Sequence, residues 1–272
     1  MKPQAFDYVR ADSADEAVAL LADSGSEARI LAGGQSLMAV LNMRLAQPSL
    51  LIDISRTPDL NYVRARDGVL AIGAAATQAS VEWRKTLAQE VPLLAQAFPH
   101  ISHFQVRNRG TVCGSVAHAD PSAELPLCLL VLGGQVVLRR RKGRRVLAAD
   151  DFFQGMLMTA READELVEEV RYPLAAAGHR YAFNEFSIRH GDFAIVSVAA
   201  AVGPQDIRFA VGGVADRPRV TSLPLLTGAD LDTAINDFAW ELEARDDHHA
   251  SAVFRRHLVR RLGREVIEKA MA

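Results

Sequence analysis

Ala28-Arg29-Ile30-Leu31-Ala32-Gly33-Gly34-Gln35-Ser36-Leu37 passes within ten residues from one apolar run, through a glycine pair, into another. Ala28–Leu31 reads as a short strand. A helix-like segment follows over Leu37–Leu45, and Pro48 stops it. Leu50-Leu51-Ile52-Asp53-Ile54 then reads as a buried strand. Residues 28–54 thus predict a compact strand–loop–helix–strand unit. Glycines at such a junction let the backbone turn tightly and approach a ligand closely. Successive N–H groups beside a helix start make a cradle for an anion, and Ser36 adds a hydroxyl. The spacing is neither the dinucleotide-binding G-x-G-x-x-G nor a Walker loop. Taken alone, the stretch leaves two readings open: an anion cradle, or a tight loop with no ligand.

Working outward, Ser13 followed by Glu16 is a capping-box pattern, and it starts a helix over Ala14–Leu21. Tyr62–Ala65 and Val69–Ile72 flank Asp67-Gly68 as a hairpin. Thr77 can cap a helix carrying Val81 and Trp83, and Val91–Ala97 is helical after Pro92. Glu124–Leu132 reads as a buried helix or apolar run. Gln135–Arg140 and Arg144–Leu147 predict a second hairpin turning at Lys142-Gly143. Leu174-Ala175-Ala176-Ala177-Gly178 reads as a small-residue linker, and a domain boundary is placed there. Beyond it, Ala194–Val202 and Ile207–Val211 predict strands. Thr227–Ala244 and Ala250–Met271 predict helices, the last with an apolar stripe through Phe254, Leu258, Leu262 and Val266.

The composition narrows the function. In 272 residues, 49% are hydrophobic and 24% charged, which is ordinary globular usage. A formal net charge of -2 gives no electrostatic reason to bind nucleic acid or an anionic membrane. The six basic residues of Arg139–Arg145 are expected to form a solvated hairpin. With only Cys113 and Cys128, a disulfide framework and any four-cysteine site are excluded. No apolar run reaches the ~20 residues of a membrane helix, and the first residues lack a signal-peptide core. A soluble, cytoplasmic protein is expected. Asp246-Asp247-His248-His249 is a weak metal candidate, because adjacent residues on a regular element cannot all face one ion.

A second loop carries the chemistry further. In Gly110-Thr111-Val112-Cys113-Gly114-Ser115-Val116-Ala117-His118-Ala119-Asp120-Pro121, ten of twelve residues are small, polar or proline-like. Such a segment cannot fill a core with its own side chains and reads better as a wall for something else. Two small-residue loops, each offering N–H donors, suit a long ligand carrying a pyrophosphate. The alternative is two unrelated turns.

These loops resemble the FAD-binding signatures of the medium subunit of molybdenum hydroxylases. That family includes the aerobic carbon monoxide dehydrogenase medium subunit, nicotine and caffeine dehydrogenase relatives, and the FAD domain of xanthine dehydrogenase. The resemblance covers nearly the whole chain. Met1-Lys2-Pro3 with Phe6-Asp7-Tyr8, Ala32–Leu37, Pro48–Ile54, Gln105–Thr111, Ala117–Pro121 with Glu124-Leu125-Pro126, Arg189–Ala194, and Arg255-Arg256-His257-Leu258 fall in family order.

The resemblance implies an α+β chain. A PCMH-type FAD-binding domain would span 1–175, with subdomains of about 1–57 and 58–175. A small domain over 179–272 would hold a three-stranded antiparallel sheet plus helices. It implies FAD as the cofactor and a role in electron transfer. The implied partners are a molybdopterin-binding large subunit, a small subunit with two two-iron two-sulfur clusters, and an external electron acceptor, in a dimer of heterotrimers. Carried over by position, Leu31, Ala32, Gly33, Gly34, Gln35, Ser36 and Leu37, with Gly110, Thr111, Gly114, Ser115 and Ala117, would surround the FAD pyrophosphate. Ile101 and Ser102 would line the cofactor entrance. Glu124 would hydrogen-bond the cofactor, and Phe183 would lie by the isoalloxazine. Two positions depart from the family. Cys113 replaces a common glycine and is expected to pack under its loop. Glu185 stands where several relatives carry lysine, so no charge-based role is transferred to it. No catalytic residue and no metal ligand is expected in this chain. A stand-alone flavin oxidoreductase on the same fold, and a non-catalytic nucleotide-binding regulatory protein, are the alternatives.

Overall fold

A computed structural model describes residues 2–272, so Met1 of the first family motif lies outside the described residues. The chain opens with β1 (Asp7–Arg10), α1 (Ala14–Ser24), β2 (Ala28–Leu31), α2 (Leu37–Asn42) and β3 (Leu50–Asp53). The three strands form a parallel sheet in the order β1-β3-β2. Ser13 Oγ accepts from Glu16 N at 3.1 Å, as the capping box predicts. The Glu16 carboxylate reaches past the cap to Asp12 N at 2.7 Å.

A second, five-stranded antiparallel sheet follows, in the order β4-β5-β10-β6-β7. The hairpin of β4 (Val63–Arg66) and β5 (Val69–Gly73) turns at Asp67 and Gly68, both with positive φ, as the right-handed twist of a two-residue turn requires. Between β5 and β6 come α3 (Gln78–Glu82), α4 (Leu87–Glu90), α5 (Pro92–Ala97), α6 (Phe104–Arg107), α7 (Val112–His118) and α8 (Glu124–Val131). Every residue of α8 is buried, which is why it shows no amphipathic stripe. The second hairpin is β6 (Gln135–Arg140) and β7 (Gly143–Ala148). Arg140 pairs with Gly143, so its turn is Arg141-Lys142, one residue earlier than predicted. The short α9 (Ala149–Phe152), β8 (Phe153–Gly155) and β9 (Met158–Thr159) lead to β10 (Leu166–Pro173), which enters the middle of the sheet and joins the two hairpins.

The last part is an antiparallel meander: β11 (Arg180–Phe186), β12 (Val196–Val202), β13 (Asp206–Gly212) and β14 (Arg219–Pro224). The α+β class holds, but this sheet has four strands where three were expected. After it come α10 (Gly228–Glu241) and α11 (Ala252–Met271). One face of the sheet buries Phe183, Ala199 and Ala210 in the core that also contains α8. The other buries Ala182, Val198 and Phe209 against α10 and α11. Arg208 on β13 donates to the carbonyls of Val131 at 2.9 Å and Leu130 at 3.2 Å, satisfying the free C-terminal end of α8. No helix among the described residues is long and apolar enough to cross a membrane.

Candidate cofactor site

The loop from β2 to α2 and the loop from α6 to α7 are pressed backbone to backbone. A Cβ on Gly33 would stand 2.2 Å from Arg109 O and 2.6 Å from Gly110 Cα, so only glycine lets them meet. Gly34 turns the first loop with φ +72°. Among the described residues no protein acceptor satisfies the N–H groups of Gly34, Gln35 or Ser36. In the second loop, Gln78 N donates to Gly110 O at 2.7 Å, and Thr111 Oγ1 caps α7 by accepting from Gly114 N at 3.0 Å. Gly114 is small because that hydroxyl fills the space a Cβ would take, 2.7 Å away.

Between these loops lies a cleft of about 620 Å³, within the ~300–1,000 Å³ range of cofactor pockets. Its walls include Ala32, Gly33, Gly34, Gln35, Ser36 and Leu37 from the first loop. Gly110, Thr111, Gly114, Ser115 and Ala117 come from the second, and Ile101, Ser102 and Glu124 from flanking segments. Leu31 and Phe183 are not in the lining. Leu31 ends β2, its carbonyl accepting from Ile54 N. Phe183 is buried beside the His100 ring at 5.2 Å.

The Ile101-Ser102 turn is held from below. Arg107 donates to Ile101 O at 2.7 Å and grips Glu82 through two hydrogen bonds at 2.8 and 3.0 Å. From above, Gly191 lies so close to Ser102 that a Cβ would meet Ser102 O at 2.9 Å. Gly191, Asp192 and Phe193 therefore form a third wall, contributed by the loop between β11 and β12. Arg189–Ala194 stands out in the sequence as a motif, but only the fold turns three of its residues onto the cleft, and nothing local in the sequence marks Arg29 and Arg161, which also line it. Arg161 is held by the carbonyls of Glu162 at 2.7 Å and Glu165 at 2.9 Å, and burial and the charge of Arg29 pull its pKa down.

Glu124 sits in the first turn of α8, and burial together with the neighbouring charge of Glu185 pushes its carboxyl up to about 8. Burial thus favours its protonated form, the one able to donate a hydrogen bond. Cys113 lies buried at the floor of the cleft. Its Sγ lies 3.3 Å from Ile72 O on β5, and burial raises the thiol far above its usual range. That is the packing role expected for it. Asp247 is used locally: its Oδ1 accepts from the N–H groups of His249 and Ala250, and its Oδ2 pairs with Arg255. No group of three or more His, Cys, Asp or Glu among the described residues is placed to hold a metal ion.

The residues present fit a long, phosphate-bearing cofactor. The first loop offers N–H groups with no protein acceptor, and Gln78 in the same wall has a buried amide oxygen without a partner. Fold and site together are those of a carrier for a long, phosphate-bearing cofactor.

The comparison with known families makes the class specific. Residues 4–175 match the FAD binding domain in molybdopterin dehydrogenase, and the chain belongs to that family. It is 37% identical to the 6-hydroxypseudooxynicotine dehydrogenase complex subunit alpha of Paenarthrobacter nicotinovorans, over 100% of this chain and 96% of that one. Its structure superposes on a chain of carbon monoxide dehydrogenase from Hydrogenophaga pseudoflava with a TM-score of 0.92 and 32% identity, covering 100% and 99% of the two chains. For quinoline 2-oxidoreductase from Pseudomonas putida 86 the TM-score is 0.93 and the identity 35%, covering 99% and 98%. The chain is therefore an oxidoreductase subunit of the molybdenum hydroxylase family, and its cofactor is FAD.

Proposed function

We propose that this chain is the FAD-carrying electron-transfer subunit of a heterotrimeric molybdenum hydroxylase. It takes electrons from iron–sulfur clusters on a small partner subunit and passes them to an external acceptor. Substrate hydroxylation takes place on a molybdopterin-binding large subunit, and two heterotrimers pair. The observation that carries this reading is the cleft between two glycine loops in a chain matched end to end by a dehydrogenase complex subunit. We read 1–175 as the FAD-binding domain, with subdomains of about 1–57 and 58–175, and 179–272 as a separate C-terminal domain.

FAD supplies the redox chemistry, since it exchanges electrons one or two at a time. The protein binds and tunes it. The N–H groups of Gly34, Gln35 and Ser36, with the Thr111–Ser115 turn facing them, would hold the pyrophosphate. Glu124, its carboxyl pushed up to about 8 by burial, would donate a hydrogen bond to the cofactor. Ile101 and Ser102, fixed by Arg107 and Gly191, shape the entrance and limit water.

The test is to express the chain together with a molybdopterin subunit and an iron–sulfur subunit encoded beside it. One flavin per chain, bleached when the complex receives its substrate, supports the reading. A purified single chain that hydroxylates substrate without other polypeptides favours the stand-alone oxidoreductase. A soluble chain that never retains flavin removes the assignment.

A further inference from the structure

Among the described residues, four buried side-chain oxygens have no hydrogen-bond partner: Gln78 Oε1, both carboxylate oxygens of Glu185, and Ser197 Oγ. Three of the four belong to one cross-strand pair. Glu185 on β11 stands directly opposite Ser197 on β12, so both side chains leave the same face of the sheet. Across from Ser197 on β13 is Gly212, where a Cβ would come within 2.6 Å of the serine hydroxyl. This is the face that packs toward α8, as its neighbours Phe183, Ala199 and Ala210 show.

Charged and titratable groups approach Glu185 from each side. His100, after α5, places Nδ1 3.3 Å from Glu185 Oε1, close but not aligned as a hydrogen bond. The His100 side chain is 29% exposed, while that of Glu185 is 2% exposed. The His190 ring lies 5.8 Å from that of His100. On the α8 side the same face meets the start of the helix: a Cβ on Gly212, opposite Ser197, would lie 3.1 Å from Pro121 O and 3.7 Å from the Leu127 side chain. Glu124 opens that helix and feels the charge of Glu185, Asp120 stands just before it, and the buried Cys128 lies within it. Glu124 lines the cleft. A line of ionisable groups therefore runs from cleft wall to solvent: Glu124, Glu185, His100.

A buried carboxylate that accepts no hydrogen bond is strongly disfavoured unless a proton or a water is shared with it. The proposed function gives such sharing a purpose. Electrons delivered one at a time by iron–sulfur clusters bring no protons with them, unlike a hydride. Two electrons stored on FAD must be matched by at least one proton drawn from solvent, and that proton leaves again when the electrons pass to the acceptor.

We propose that Glu185 is the middle station of a proton path between solvent and the cofactor cleft, with His100 at the outer end, Glu124 at the inner end, and Ser197 holding a water that completes the hydrogen bonds of Glu185. The inference rests on the reading of the cleft as an FAD site. On reduction, Glu124 gives its proton to the cleft; a proton drawn from bulk water then passes by way of His100 to the Glu185 carboxylate and on to Glu124, so that the path ends the step as it began. Reoxidation runs the same transfers backwards. Because burial holds Glu124 up to about 8, it begins the cycle already protonated at neutral pH.

The experiment compares the FAD-loaded complex as wild type, Glu185→Gln and His100→Gln. Proton uptake is followed with a pH-indicator dye in weak buffer while flavin bleaching is recorded. A reduced-minus-oxidised infrared difference spectrum reports carboxyl groups. With flavin content unchanged, Glu185→Gln should slow proton uptake at least tenfold and remove a carboxyl signal. His100→Gln should slow uptake and keep that signal. Uptake at the wild-type rate in Glu185→Gln, with the carboxyl signal intact, overturns the path. If Glu185→Gln does not fold, unchanged uptake in His100→Gln overturns it instead. A wild-type complex without flavin, or with flavin that substrate cannot reduce, fails the proposed function rather than the path alone.

Discussion

A methyl group on Gly33 would collide with main-chain atoms of Arg109 and Gly110, which cannot swing aside as a long side chain can. Gly33→Ala should therefore part the two loops, cost about 1–3 kcal/mol as overpacking does, and leave the purified protein largely free of flavin. Absorbance per chain and a thermal melt check both effects. Full flavin content in a soluble Gly33→Ala protein would show that the loops do not form the cradle. Cys113 is the contrasting case. Its thiol is buried against Ile72 O and held protonated, so Cys113→Ala should cost about 1 kcal/mol and leave flavin content and reoxidation within a few-fold. A hundredfold slower reoxidation with FAD bound would instead make it a working neighbour of the flavin. Glu124 carries a pH signature. An acid with a folded pKa of about 8, against ~4.3 unfolded, binds its proton more tightly when folded. Its contribution to stability is intact below about pH 4 and is lost as pH rises to about 8, by at most ~5 kcal/mol. Urea unfolding of Glu124→Gln, in the same flavin-loading state, should show a shallower decline over that range than wild type. Parallel curves would contradict the burial argument.

At the scale of elements, the residues that matter most to the C-terminal sheet look ordinary in sequence. Arg255 on α11 is buried. It donates to Ile195 O at 2.8 Å and to Gly213 O, and pairs with Asp247 at 2.6 Å, tying the helix to the chain just before β12 and just after β13. Arg255→Met should leave those carbonyls unpaired and destabilise the fold by about 1–3 kcal/mol, as stranding buried acceptors does. A chemical denaturation midpoint within error of wild type would refute this. The same scale shows what the sequence makes legible. The Ser13 cap, the Asp67-Gly68 turn and the apolar helix at 124–131 could be read because local chemistry decides them. The strand Leu166–Pro173 could not. Its Glu168 and Glu169 break the apolar pattern and are buried only because Arg139, Arg144 and Arg171 reach them from elsewhere or along the strand. A bulge between Val167 and Glu169 also spoils its alternation. Arg180–Phe186 hid for a similar reason, because its polar Asn184 and Glu185 mask a strand paired along its whole length. Of the site, the two glycine loops were visible, since glycine states its purpose locally. The third wall at Gly191–Phe193 was not, because only the packing of a distant sheet brings it over Ser102.

For the whole molecule, the third wall predicts that cofactor retention draws on both halves of the chain. Phe193→Ala opens that wall and leaves both glycine loops and the sheet over α8 in place. It should release flavin faster on dilution than wild type, as a time course of free flavin fluorescence would reveal. Equal release would mean the wall contributes nothing. The place of β10 in its sheet has a different consequence, one of timing. The hairpin ending at Gly73 must wait for a neighbour that begins at Leu166, roughly ninety residues later. At about 5–20 residues per second on a ribosome, that is a delay on the order of five seconds or more. Through that interval β5 presents a bare edge to the crowded solution around the nascent chain, joined only near its end by β6. The strand that closes the sheet is also heavily loaded with buried charge, and by the time it emerges Arg139 and Arg144 have already been made and can receive it.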